Sequence, residues 1–366
     1  MFLEKLFLEN YKIFLKREFS FNKGLNFIVG SNSSGKTTIL ESIYSLFTGE
    51  LASNPINYHY NHSRLILNFN FNNVNNELKL LLKRKEERIE KQFYLNDKKL
   101  EAIKELRSAF ISPLSLNAID ISTLYQGSQN KKDFIDRFLK ITDQEFSSVY
   151  YEQKKILKQK SNLLKKKIFE DVLDTFNLKI AEYSALISLK RITLLNQIKN
   201  NLSEFIRKTW NIQDIKINYK LGTNHYLGDV EEFLKSHLQY ALKYLKEKYQ
   251  ISLEDNKKRE IENQKNIINS NKDNFDFLVL IENRYYPIGS VLSQSQINIF
   301  VLVVFLNLVK KIKQLFGYYP VLLLDEPFVF LDDNNTNKSI RILNNYPQSL
   351  ITLNKDINYS CYKIYL

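Results

Sequence analysis

Gly30-Ser31-Asn32-Ser33-Ser34-Gly35-Lys36-Thr37 matches G-x-x-x-x-G-K-[ST] at every fixed position, and its surroundings decide the fold. Before it runs Leu25-Asn26-Phe27-Ile28-Val29, which reads as a buried strand. After it, Ile39, Leu40, Ile43, Leu46 and Phe47 recur at three-four spacing, so Lys36–Phe47 reads as a helix. Strand, loop and helix in that order are the setting a phosphate-binding loop needs. The two glycines let the backbone curl until its N–H groups point inward at phosphate oxygens, and the helix adds its positive N-terminal end. In this arrangement Lys36 reaches the β- and γ-phosphates of ATP and the Thr37 hydroxyl coordinates Mg²⁺. ATP and Mg²⁺ are therefore the expected cofactors, and Gly30, Ser31, Asn32, Ser33, Ser34, Gly35, Lys36 and Thr37 the expected nucleotide-binding residues.

Far downstream, Val321-Leu322-Leu323-Leu324-Asp325-Glu326-Pro327 is an apolar run ending in two acids. The run reads as a buried parallel strand that delivers Asp325 to its C-terminal edge beside the loop. There Asp325 can hold Mg²⁺ through water while Glu326 polarises the attacking water. Glu326 and Lys36 are thus the expected catalytic residues, and Thr37 and Asp325 the expected metal-holding ones. About 290 residues separate the two motifs, far more than the roughly 30 residues of one βαβ crossover.

What fills the gap changes character along the chain. Residues 1–30 read as short strands and residues 64–95 as antiparallel strands, with turns at Asn72–Asn76 and Asn96-Asp97. From Lys132 to Ile268 charged residues mix with Leu and Ile at helical spacing. The pattern predicts long helices at Phe134–Lys167, Glu170–Lys208 and Val230–Ile268, with an interruption near Tyr219–Gly228. Strand signals return at Phe275–Ile281, Val321–Leu324 and Ser349–Leu353, around a buried helix at Gln296–Lys313. The expected architecture is an α/β P-loop ATPase head built from both chain ends. Residues 1–112 and 271–366 form the head, and residues 113–270 form an inserted all-helical arm.

The 366 residues include one cysteine, Cys361, which has no internal disulfide partner; that fits a reducing compartment and hence the cytoplasm. Glu4, Lys5 and Glu9 break what would have to be the apolar part of a signal peptide. The longest apolar run, near Ile299–Val309, is shorter than the ~20 residues of a membrane span and contains Asn307. No membrane partner is expected. A net charge of +13 points to a polyanion, nucleic acid foremost. The basic residues cluster in Gln153–Lys167, which holds seven lysines and no acid, while Ile156, Leu157, Leu163, Leu164 and Ile168 repeat at heptad spacing. One stripe can pack while the lysines face out. Lys154, Lys155, Lys158 and Lys165 are the candidate DNA contacts, gripping phosphates without base reading. A merely solvated face explains the same pattern equally well.

Two further segments resemble ABC-type ATPases. Leu331-Asp332 resembles their D-loop, and Leu292-Ser293-Gln294-Ser295-Gln296 resembles their L-S-x-G-Q signature, with Ser295 in the glycine place. That resemblance implies that Ser293 covers the ATP of a second subunit. At larger scale the chain resembles the RecF family, SMC-like ATPases of bacterial recombinational repair. Leu6-Phe7-Leu8-Glu9-Asn10-Tyr11 resembles the family's opening strand, and Gly30–Tyr44, with Leu40-Glu41-Ser42-Ile43, its loop and helix. The most family-specific stretch is residues 111–165. It includes Ile111-Ser112-Pro113, Tyr125-Gln126-Gly127-Ser128, Lys131-Lys132-Asp133-Phe134-Ile135-Asp136 and Ile156–Lys165.

The resemblance implies binding of double-stranded and single-stranded or gapped DNA, by ATP-driven homodimerisation of heads with slow hydrolysis as the reset. It also implies RecR and RecO as partners in loading recombinase, in the cytoplasm at the nucleoid. The chain departs from the family where a Gly-Pro-His-Arg-Asp-Asp segment should fall, at Asn269–Asn274, keeping at most Asp273. It departs again at Ser295, at Asn298 where a basic residue is expected, and after Ser349–Leu353, where no histidine follows. A rival reading is another SMC-like or OLD-like ATPase of phage defence or chromosome maintenance, acting with a nuclease. A transporter subunit is disfavoured by the long helical insert and its basic run.

Overall fold

The chain opens with β1 (Phe2–Tyr11), β2 (Phe14–Ser20), β3 (Gly24–Val29) and α1 (Lys36–Thr48). Next come β4 (His62–Phe71), β5 (Val74–Lys85), β6 (Arg88–Leu95), β7 (Lys98–Lys99), α2 (Ile103–Ala109), β8 (Leu114–Leu116) and α3 (Ala118–Tyr125). The structure, a computed structural model, describes residues 1–86, 88–125, 131–166 and 170–366. Gln126-Gly127-Ser128, and Lys167 and Ile168 at the end of the basic run, lie outside the described residues.

Six of these strands form an antiparallel sheet in the order β2-β1-β4-β5-β6-β7. Alternation drives it: in β5, Asn76, Leu78, Leu80 and Leu82 are buried and the residues between them are not. Two of its hairpins turn on Asn72-Asn73 and Asn96-Asp97, with φ of 51°, 63°, 49° and 61°. A type I′ two-residue hairpin turn needs this left-handed pair, and Asn and Asp tolerate it. Strand β5 therefore starts inside the Asn72–Asn76 stretch that composition alone marks as turn throughout.

The middle of the chain holds α4 (Lys131–Thr142), α5 (Gln144–Lys165), α6 (Glu170–Trp210), β9 (Ile215–Lys220), β10 (Tyr226–Asp229), α7 (Val230–His237), α8 (Ala241–Asp255) and α9 (Lys257–Asn263). A 3₁₀ turn at Ser270–Lys272 leads to β11 (Asn274–Ile281), β12 (Arg284–Pro287) and α10 (Ile288–Val291). The rest is α11 (Gln294–Phe316), β13 (Leu322–Leu324), α12 (Asp333–Leu343), β14 (Gln348–Leu353) and β15 (Tyr362–Tyr365). Two compact units result: Met1–Ile121 with Asn298–Leu366, and Ser122–Ile297.

The middle unit corrects the expectation of an all-helical arm, because it contains a four-stranded sheet, β10-β9-β11-β12. Ile215, Ile217 and Tyr219 face inward at a period of two, over a strand too short to stand out against the helical pattern around it. The helix expected at Phe134–Lys167 is broken at Asp143, whose carboxylate accepts from the Phe146 N–H at 2.9 Å and caps α5. Val230–Ile268 is three helices rather than one. At the unit's centre Arg191 of α6 is fully buried. It donates twice to the Asp136 carboxylate, at 2.7 Å each, once to Ser270 O at 2.7 Å and once to Asp273 at 3.0 Å. Asp273 also accepts from Ser188 Oγ, the Tyr219 and Tyr249 hydroxyls and the Gly222 N–H. The lone survivor of the family segment is thus a structural hub.

In the unit made from both ends, a five-stranded parallel sheet runs β15-β3-β14-β13-β8. Strand β13 is an unbroken run of buried leucines, whereas β3 and β14 bury Asn26, Gln348, Ser349 and Thr352 among their apolar residues. Helix α1 packs Ile39, Leu40, Ile43, Leu46 and Phe47 into the core shared with Leu6, Leu8, Leu65, Leu67, Leu78 and Leu80 of the antiparallel sheet. The fully buried Gln348 joins the two sheets: its amide accepts from Leu3 N at 2.7 Å and donates to Leu3 O at 2.8 Å.

Candidate nucleotide-binding site

The loop from Gly30 to Gly35 fills the turn between β3 and α1. Its backbone reverses through Ser33, at φ 68°, and Gly35, at φ 102°. The left-handed φ is what asks for glycine at Gly35, since a Cβ there would meet only the tips of the Phe14 and Ile13 side chains, at 2.5 and 2.7 Å. Lys36, only 4% exposed, curls back over the loop. Its ammonium donates to Gly30 O and Ser31 O at 2.9 Å each and to Asn354 Oδ1 at 2.8 Å, and lies 3.6 Å from a Glu326 oxygen.

The parallel register explains how residues so distant in sequence converge. Val29 pairs with Leu353, and Leu324 with Ile351, so β3, β13 and β14 end at one edge. Asp325 follows β13 there. It accepts from Thr37 Oγ1 at 2.9 and 3.2 Å and from Thr352 Oγ1 at 2.6 Å. The Thr352 hydroxyl in turn accepts from the Glu326 N–H at 2.8 Å, holding Glu326 in a left-handed conformation at φ 50°. Ile13, Asn32, Ser33, Gly35, Lys36, Thr37, Thr38 and Glu326 line a cavity of about 450 Å³ over the loop. A larger cleft of about 680 Å³ opens beyond Glu326, between α12 and residues 352–358. It lacks the loop's N–H groups, and the smaller cavity is where phosphate chemistry fits.

The structure thus brings together Lys36, Thr37, Asp325 and Glu326. The Thr37 hydroxyl and the Asp325 carboxylate already touch, so two hard oxygen donors converge at one point; that suits Mg²⁺, which takes one or two protein oxygens plus phosphate and water. Two participants are absent from the sequence reading, Thr352 and Asn354. Thr352 lies within β14 and Asn354 just after it, the place where the family resemblance calls for a histidine.

Ser293 falls in the other unit. It is exposed at the start of α11, where its hydroxyl accepts from Gln296 N at 3.3 Å and its N–H donates to Gln296 Oε1 at 2.9 Å, a reciprocal cap. Ser295 Oγ, at the signature's glycine place, is buried with no hydrogen-bond partner among the described residues. Asn298 donates to Val329 O.

On α5, Lys154, Lys155, Lys158 and Lys165 are all exposed, while Ile156, Leu157 and Leu164 are buried. Lys160 breaks the expected pattern of outward lysines. It is 1% exposed, pairs with the equally buried Glu260 and donates to Asn177 Oδ1 at 2.6 Å. Burial pulls its ammonium below the ordinary lysine value, against the opposing Glu260 charge.

A family model described as AAA domain matches residues 5–315. The chain belongs to the AAA domain family. Among its relatives, the DNA replication and repair protein RecF of Caldanaerobacter subterraneus subsp. tengcongensis is 27% identical, covering 100% of this chain and 98% of the relative. The protein of that name from Streptococcus suis is 26% identical over 96% of this chain and 92% of its own. The solved structure of the recombination mediator protein RecF-ATPrS in the RecFOR pathway superposes with a TM-score of 0.82 at 23% identity, over 100% of this chain and 96% of that one. An SMC head bound to the C-winged helix domain of ScpA gives a TM-score of 0.52 at 16% identity, over 97% and 91%. The structural likenesses show a shared fold. The resemblance of this AAA domain protein to the RecF family runs the whole length of the chain. Among the described residues, no helix is long and apolar enough to cross a membrane.

Proposed function

We propose that the chain is a RecF-like DNA replication and repair protein, a nucleotide-switched DNA-binding ATPase of the cytoplasm. The observation that carries this is the convergence of Lys36, Thr37, Asp325 and Glu326 on one loop cavity, in a chain whose RecF relatives match it end to end. Gly30 to Thr37 cradle the phosphates of ATP, and Lys36 exchanges its loop carbonyls for β- and γ-phosphate oxygens. Thr37 and Asp325 hold Mg²⁺, which neutralises charge on the phosphates when bound. Glu326, kept at the cavity by Thr352, orients the attacking water. Ser293 caps the nucleotide of a second copy, so ATP favours a homodimer and slow hydrolysis resets it. Lys154, Lys155, Lys158 and Lys165 grip the DNA backbone. RecR and RecO are the protein partners such a chain works with at single-strand gaps.

The test is binding of the full chain to gapped, duplex and single-stranded DNA, each with and without ATP and Mg²⁺. Nucleotide should tighten binding, most on gapped duplex. Equal affinity with and without ATP on all three substrates would sink the switch.

A further inference from the structure

At the turn from α7 into α8, inside the unit Ser122–Ile297, three large apolar side chains stand in water within five residues: Leu238 is 78% exposed, Tyr240 66% and Leu242 44%. Scattered singly, such residues need no explanation. This group is neither scattered nor loosely held. The Tyr240 N–H donates to His237 O at 3.0 Å, and its carbonyl accepts from the Tyr244 N–H at 2.8 Å, so the backbone that carries the ring is fixed. Tyr240, at the N-cap of α8, is followed at four-residue spacing by Tyr244 and Lys248, which sets the three in a row along one helix face. Beside that row the His237 and Tyr244 ring centroids are 4.5 Å apart, and the Lys248 ammonium lies 5.2 Å from the Tyr244 centroid.

The charge here is positive and partly unspent. Residues 230–250 hold three acids, and each is already paired: Glu231 with Lys199 and Lys235, Glu232 with Lys216, Glu247 with Lys243. Lys248 makes no ion pair among the described residues. Its charge is felt in the cluster: burial and then the Lys248 ammonium hold the His225 ring, whose Nε2 meets the Tyr244 hydroxyl at 3.1 Å, below the ordinary histidine value.

We propose that this face of α8 takes unpaired nucleotides of single-stranded DNA, a base stacking on the Tyr240 ring against Leu238 and a backbone phosphate resting on Lys248. A free ring face beside an unpaired cation is the combination that non-specific single-strand binding uses. A duplex keeps its bases stacked inside, so it leaves the ring unused, and a purely apolar segment leaves Lys248 unused. The inference rests on the DNA reading and adds to it: the lysines of α5 grip backbone, and this second surface accepts bases.

The full chain, with ATP and Mg²⁺, is titrated in anisotropy against fluorescein-labelled oligo(dT), a base-free deoxyribose phosphate strand and a duplex, all of equal length. Tyr240→Ala should weaken oligo(dT) binding at least fivefold, the usual effect of losing one stacked base. It should leave the base-free strand and the duplex as the wild type binds them, and Tyr240→Trp should restore oligo(dT) binding. Lys248→Gln should make the single-strand log–log salt slope shallower by about 0.7. Tyr240 is exposed, so circular dichroism should stay unchanged. Oligo(dT) binding indifferent to Tyr240→Ala, with the duplex still bound, would overturn the inference and leave the DNA reading standing. So would an equal loss on the base-free strand, since the ring would then not be stacking. Saturable binding of a labelled octapeptide of alternating Glu and Leu, with no oligo(dT) binding, would assign the patch to a protein instead. Failure to bind any of the three nucleic-acid probes would remove the DNA reading and this inference together.

Discussion

Lys36 holds three protein acceptors, Gly30 O, Ser31 O and Asn354 Oδ1, and a phosphate must replace at least some of them. Hydrogen bonds from a charged donor contribute about 1.5–3 kcal/mol each, so Lys36→Ala should lower ATP affinity by at least tenfold. The surrounding core is apolar and independent of this ammonium, so circular dichroism should not change. Unchanged ATP affinity would remove the loop from its assigned role. Glu326 makes a different demand. Its backbone is fixed by the Thr352 hydroxyl, so Glu326→Gln keeps the geometry and removes only the negative charge proposed to polarise water. ATP should still bind, hydrolysis should slow, and an ATP-dependent dimer should accumulate in light scattering. A variant that hydrolyses as fast as the wild type would take Glu326 out of that role. Asn354 and Thr352 were illegible in the sequence for a physical reason. A polar residue after an apolar strand is visible, but its meeting with Lys36 or Asp325 depends on parallel register across β3, β14 and β13, which only the folded sheet supplies.

Among the elements, β3 and α1 lie within a residue or so of where the sequence pattern puts them, because a mostly apolar run before the glycine-rich loop and a three-four repeat after it are strong signals. The break between α4 and α5 was invisible because no Gly or Pro marks it; Asp143 makes it by capping. Nor could spacing show that Lys160 is buried, since its partner Glu260 lies 100 residues further on. What the pattern did supply is the exposed row Lys154, Lys155, Lys158 and Lys165 on α5, and this row separates two readings. On duplex DNA each phosphate contact releases roughly one counterion and adds about −0.9 to the log–log salt slope. Changing all four to Gln should weaken binding on every sequence alike and make the slope shallower. A solvated face would lose a little affinity through net charge with the slope unmoved, so an unchanged slope from low to moderate salt would rule out α5 as the DNA surface.

The molecule as a whole is two cores on one chain, and the nucleotide belongs to one of them. Strand β3 sits between β14 and β15, and the Leu366 N–H donates to Val29 O at 2.9 Å. The loop strand is therefore not fully paired until the last residues of the chain arrive. Residues 122–297 instead form one continuous stretch around Arg191. Units with separate cores can melt separately. Every residue assigned to ATP phosphates, Mg²⁺ and water within one copy lies in the unit made from both ends. A ligand that binds one folded unit stabilises it by RT ln(1 + [L]/Kd), about 2.7 kcal/mol at a hundredfold excess over Kd. For a unit of this size that is a rise of roughly 5–10 °C. Calorimetry with ATP and Mg²⁺ should move one of two transitions upward and leave the other in place, and Lys36→Ala should abolish the movement. Arg191→Met identifies the second transition. It leaves Asp136 and Asp273 buried without their cation, a loss of about 3–5 kcal/mol by the usual cost of breaking a buried pair. The transition ATP does not move should fall. Should ATP raise both transitions in step, the chain melts as one cooperative body and the two-core division fails; should it raise neither, the nucleotide assignment fails with the division untouched.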